Sequence, residues 1–143
     1  MASMNGPSVA DDMSDEDVDA RYAALDLALD AMEANSEAEA RKLAKQALRL
    51  DPDCVDALLV MADLEARNER QLIEGLQKAV AAGERSLGRK FIEENSGHFW
   101  VLLDTRPYMR ALQLLGDALR GEGINLDAIK VFERMLELNP NDN

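Results

Sequence analysis

Two stretches of this chain repeat one spacing of small and bulky residues. Near the C terminus, Leu112, Leu115, Gly116 and Leu119 are followed by Ala128, Phe132 and Pro140. Far upstream, Ala40, Ala44, Ala47 and Pro52 reproduce the second half of that pattern, with the same interval from Ala40 to Pro52 as from Ala128 to Pro140. Residues three and four apart share one face of a helix, so each stretch reads as two amphipathic helices joined by a short break. A unit of this kind cannot bury its apolar face alone, and its repetition predicts hairpins stacked side by side. In the C-terminal unit the break is Gly121-Glu122-Gly123, where glycine eases a sharp reversal. Gly116 and Ala128 are small where the two helices would cross closely. In the upstream unit, Ala24, Leu27, Ala28 and Ala31 supply the first half with small residues.

Helix signals divide the rest. Ser14 stands three residues before Asp17 in the manner of a capping box, which predicts a helix from about 16 to 34. Ser36 and Glu39 form a second box, opening a helix to about Leu50. Asp53 is expected to cap a third helix, Cys54 to Arg67, with Leu58, Met61, Ala62 and Leu64 inward. Asn68 is expected to cap a fourth from Glu69 to about Ala82, buried along Leu72, Ile73, Leu76, Ala79 and Val80 and stopped by Gly83. This second hairpin fits the pattern loosely, because it lacks the closing proline and carries Gly75 inside a helix at a cost of about 1 kcal/mol. An irregular insert is expected at 84–105: a short helix around Leu87, Phe91 and Ile92, a turn at Asn95-Ser96-Gly97, and a buried run from Phe99 to Leu103. Asp104 or Thr105 then caps the last pair, with Pro107 tolerated in its first turn. The predicted organisation is a disordered tail over 1–13 and an all-α superhelix over 14–143, with hairpins at about 16–50, 54–83 and 106–139.

Composition agrees with helices and narrows the partners. Hydrophobic residues make up 47% but aromatics only 4%, so the apolar side chains are mostly helix-forming Ala, Leu and Met. With 28 acidic and 16 basic residues the net charge is -12, which repels nucleic acid and anionic membrane surfaces. One cysteine, Cys54, cannot make an intramolecular disulfide, and one histidine, His98, cannot assemble a Cys/His metal site or a convergent catalytic group. No apolar run has the length of a membrane span, and the acidic start is unlike a signal peptide. A cytoplasmic, non-enzymatic protein without cofactor or metal is expected. Arg106 and Arg110 beside Asp104 raise the alternative of a phosphate or carboxylate site. The structural reading of the same corner pairs an arginine with Asp104, Glu93 or Glu94, or stacks it on Trp100 or Tyr108.

Leu112, Leu115, Gly116 and Leu119 fall at the spacing W-x2-L-G-x2-Y, and Ala128, Phe132 and Pro140 at A-x3-F…P, so the pattern resembles the tetratricopeptide repeat. The run Gly97-His98-Phe99-Trp100 through Asp104-Thr105-Arg106-Pro107-Tyr108, with the repeat ending Asn139-Pro140, is similar to the tetratricopeptide proteins related to the suppressor-of-tumorigenicity family. That resemblance implies action through protein contacts without catalysis, and relatives that continue past Asn143 into a further helix. In such arrays the first helix of each pair lines a concave groove, which here implies Tyr22, Leu25, Leu29, Asp56, Leu59, Asp63, Arg110, Gln113 and Asp117. The surface is apolar to acidic, so a neutral to basic protein or peptide partner is expected. It lacks the Lys, Arg and Asn set of modules that clamp a C-terminal carboxylate. A final hairpin without a covering helix leaves Ile129, Phe132 and Leu136 as an apolar face, and self-association into a homodimer through it is the competing expectation.

Overall fold

The structure, a computed structural model, describes residues 13–99 and 102–140. The expected tail lies outside these residues save for Met13, as do Trp100 and Val101 of the aromatic run. Among the described residues every regular element is helical. Seven α-helices follow in order: α1 (Asp15–Met32), α2 (Glu37–Leu50), α3 (Val55–Glu65), α4 (Glu69–Leu87), α5 (Arg89–Asn95), α6 (Arg106–Gly121) and α7 (Asn125–Leu138). The pairs α1/α2, α3/α4 and α6/α7 are the three hairpins of an all-α superhelix, with α3 packed on the first hairpin and α6 on α4.

The caps explain the first boundaries. Ser14 accepts a hydrogen bond from the Asp17 amide at 3.2 Å and Ser36 from the Glu39 amide at 3.1 Å, each satisfying a donor that the first helical turn leaves open. The first hairpin closes alanine on alanine: Ala24, Ala28 and Ala31 of α1 meet Ala44 and Ala47 of α2, with Cys54 and Ala57 behind them. Side chains this small let the helix axes approach closely.

The second hairpin departs from expectation at both ends. Asp53 does not cap α3; its amide donates to Asp51 Oδ1 at 3.0 Å, its carboxylate accepts from Arg85 at 3.0 Å, and Cys54 occupies the cap position with no side-chain bond. The buried residues of α3 are Val55, Asp56, Ala57 and Leu59, while of the expected stripe Leu58 and Met61 pack half-buried against neighbouring clusters and Leu64 is half-buried at the helix end. Gly83 does not stop α4, which continues one more turn to Leu87 and ends at Gly88, φ 83°. Gly83 is instead a crossing point, because a Cβ there would sit 2.6 Å from Cδ1 of the Tyr108 ring. Gly75 plays the same part between α3 and α4, where a Cβ would come 2.7 Å from that of Ala62.

The insert therefore begins at Gly88. The short helix appears as α5, and Phe91, Ile92 and Phe99 join Tyr108, Leu112, Met135 and Leu138 in one apolar cluster. The Phe99 and Tyr108 rings meet edge to face, centroids 6.4 Å apart. The turn after α5 fastens the far end of α7: the Gly97 amide donates to the Leu138 carbonyl at 2.7 Å and the Ser96 hydroxyl to the Glu137 carbonyl at 3.2 Å. Thr105 precedes α6 but makes no side-chain cap. Its buried hydroxyl lies 2.7 Å from the carbonyls of both Phe99 and Leu102, pinning the insert to the helix start.

The last hairpin matches its pattern. A Cβ on Gly116 would stand 2.7 Å from the Phe132 ring, so this glycine marks the α6/α7 crossing. The break is a Schellman turn, in which the Ile124 amide donates to Leu119 and the Gly123 amide to Arg120. Gly123 takes the left-handed conformation this requires, φ 75°.

Candidate functional site

The first helices of the three pairs, α1, α3 and α6, border an open cavity of about 540 Å³. Its apolar wall includes Met32 from α1, Val60 and Leu64 from α3 and Leu114 from α6, and the Asn35-Ser36 turn closes one side. Asp63 and Glu37 bring carboxylates to it and Arg110 a guanidinium.

Arg110 is committed. Its Nε donates to Asp56 Oδ1 at 3.0 Å and its Nη2 to Oδ2 at 2.7 Å, the two-pronged geometry for which guanidinium and carboxylate are matched. Asp56 is fully buried while the arginine side chain is 44% exposed. The pair joins the second hairpin to the third and leaves the acidic groups as the unbalanced charge of the cavity. The expected anion corner at Arg106 and Arg110 is thus not a pair of open cations: Arg110 is spent on Asp56, and Arg106 also has a partner.

Of the nine residues expected in the groove, Leu59, Asp63 and Arg110 line this cavity together. Two of the nine are closed to solvent. Asp56 is enclosed and serves as the counter-ion of Arg110, and Leu59 is only 6% exposed, packed in the core with Ile73 and Leu76. Tyr22 and Leu29 are exposed and Leu25 half-buried on α1, none of them at the cavity wall. Gln113 donates to Asp117 at 3.1 Å, and Asp117 also meets Arg120 at 3.4 Å, forming a surface cluster one turn beyond the cavity. Met32, Glu37, Val60 and Leu114 were missed, although Leu114 stands one helical turn past Arg110, a spacing the sequence displays.

The groups that could have carried other chemistry sit apart. Cys54 is buried, and loss of solvation, with Asp51 and Asp56 nearby, pushes its thiol up to about 11, although the backbone of Ala57 and Asp56 acts the other way. Burial likewise raises the Tyr108 phenol, with Glu84 adding to the effect and Arg134 opposing it. No group of three or more His, Cys, Asp or Glu side chains is placed to hold a metal among the described residues, and no described helix is long and apolar enough to cross a membrane.

Among curated proteins, none matches the chain. The tetratricopeptide repeat family matches residues 25–91, which run from the middle of α1 into α5 and include the hairpin whose sequence fits the pattern loosely. The C-terminal hairpin, on which the spacing was clearest, lies beyond that match and carries the same helix pair. Residues 25–91 are thus similar to the tetratricopeptide repeat and lie within an all-α superhelix.

Proposed function

We propose that the chain is a non-catalytic protein-binding module that holds a neutral to basic segment of its partner against α1, α3 and α6. The observation that carries this reading is the open cavity, whose wall is largely apolar and whose cation among the described residues, Arg110, is already neutralised by buried Asp56. An aliphatic side chain of the partner loses water against Met32, Val60 and Leu114, while Asp63 and Glu37 favour a neighbouring lysine or arginine. The tetratricopeptide match at 25–91 supports the same class of activity. The resemblance of the last third to the suppressor-of-tumorigenicity relatives lies outside the family match at 25–91 and implies the same class of activity. A cytoplasmic setting suits Cys54, an unpaired thiol.

An array of short peptides tests this, each carrying leucine flanked by lysine, by serine or by glutamate. Retention should rank lysine over serine over glutamate, and Leu114→Asp, at a residue 45% exposed, should abolish it without altering the melting temperature. Retention that ignores both the peptide charge and Leu114→Asp would defeat the assignment.

Self-association is a second reading, and one observation favours it. The outermost helix, α7, exposes Leu126, Ile129 and Leu136. Phe132, expected on that face, is instead turned inward over Gly116.

A further inference from the structure

Leu126, Ile129 and Leu136 are 78%, 50% and 55% exposed, while Ala128, Met135 and Leu138 of the same helix are buried. α7 therefore has two apolar faces, of which one packs within the chain. With Glu133, the exposed residues follow steps of three, four and three, the spacing of a coiled-coil seam interrupted by one carboxylate. Lys130, one residue beyond Ile129, is exposed and makes no ion pair among the described residues, and neither does Glu133. The neighbouring Arg134 and Glu137 are paired with each other at 3.3 Å. One anion in the seam and one cation beside it thus have no counter-charge among the described residues.

We propose that this stripe pairs with the same stripe of a second copy of the chain, antiparallel about a two-fold axis crossing α7 near Val131. This rests on the self-association reading and specifies its geometry. Parallel pairing in register would set Glu133 against Glu133, two like charges in an apolar seam. Antiparallel pairing sets Leu126 against Leu136 of the second copy and Ile129 against its Glu133, with Lys130 alongside to reach that carboxylate. Because the axis is two-fold, each contact occurs twice and the surface closes on itself. The negative charge of the chain does not oppose this arrangement strongly. Nine of its 28 acidic residues but only Arg21 of its 16 basic ones precede residue 35, at the opposite end of the array, whereas α7 carries Asp127, Glu133 and Glu137 against Lys130 and Arg134.

Sedimentation equilibrium of the full chain, from low micromolar to submillimolar concentration, should show a weak reversible dimer. Ile129→Asp should shift it to monomer with circular dichroism and melting unchanged, and Glu133→Leu should tighten it by at least about tenfold, as expected when a seam carboxylate is replaced by a packing side chain. Under a mild oxidant, copies carrying Leu126→Cys should cross-link to copies carrying Leu136→Cys faster than either does to itself. A monomer at every concentration overturns both the pairing and self-association. A dimer that survives Ile129→Asp keeps self-association and removes α7 from the interface. A dimer that Ile129→Asp dissolves, but in which Leu126→Cys copies cross-link to one another fastest, overturns the antiparallel register.

Discussion

Asp56 is fully buried on α3, and its two oxygens are held by a guanidinium from a helix 54 residues away in sequence. The two partners are not equivalent. Without its carboxylate, Arg110 can turn toward water through its exposed side; without its arginine, Asp56 keeps a charge that has nowhere to go. Arg110→Ala is therefore expected to cost about 3–5 kcal/mol and Asp56→Asn less, about 1.5–3 kcal/mol. Urea unfolding of both variants checks the order, and an equal or reversed ranking would mean that the buried carboxylate is stabilised by something other than the arginine. Both residues were legible as charges on first helices of their pairs, but a charge facing a partner and one facing another helix have the same helical spacing. Cys54 gives a second expectation at this scale. With its thiol pushed from 9.0 to about 11, less of it is thiolate at pH 8 than in the unfolded chain, and a disulfide reagent should react more slowly with the native protein than with the protein in urea.

Helix ends were read well where a side chain makes the cap and poorly where packing does. Ser14, Ser36 and Asn68 accept the amide bonds their spacing predicts. The end of α4 was misplaced because a glycine inside a sequence looks like a stop, whereas Gly83 is required by the ring of Tyr108, a residue of another hairpin. Gly75 likewise looks like a penalty in the sequence and is a close contact in the fold. Gly75→Ala should destabilise by about 1–3 kcal/mol despite alanine's better helix propensity, since the atom it would strike is Cβ of Ala62 close to the backbone of α3. A stabilised Gly75→Ala protein, measured by thermal melting, would show that α3 and α4 can separate at little cost. At the other end of the array, Gly97 is in the left-handed region, φ 95°, and its amide closes α7. Gly97→Ala should cost about 1–2 kcal/mol and accelerate exchange of the amides in the last turn of α7 more than those of α6.

Across the molecule the apolar clusters are unequal. The clusters of the second and third hairpins interlock, since Val80, Val131 and Phe132 pack against both. The cluster under α1 and α2 is nearly all alanine, and it reaches the rest chiefly through α3, helped by the Arg21 side chain donating to the Ser86 carbonyl at 2.8 Å. Each alanine withdraws little area from water, so the first hairpin should open first. Native-state hydrogen exchange should find α1 and α2 amides exchanging at lower free energy than those of α4 and α6, and Arg21→Ala should widen the gap. Uniform exchange across all three hairpins would refute this. The hairpin architecture was visible from spacing alone because each unit is local, while the joint between second and third hairpins was not, since it depends on where separate segments meet. That joint also limits how the array could grow. At the Asp51–Cys54 turn one hairpin follows another through a few residues, so a duplicated unit could be spliced in there and find a matching neighbour on either side. At Gly88–Thr105 the chain instead lays a short helix and aromatic side chains alongside the directly packed α4 and α6 and ties the turn after that helix to the end of α7, so a hairpin spliced in there would have to break those contacts.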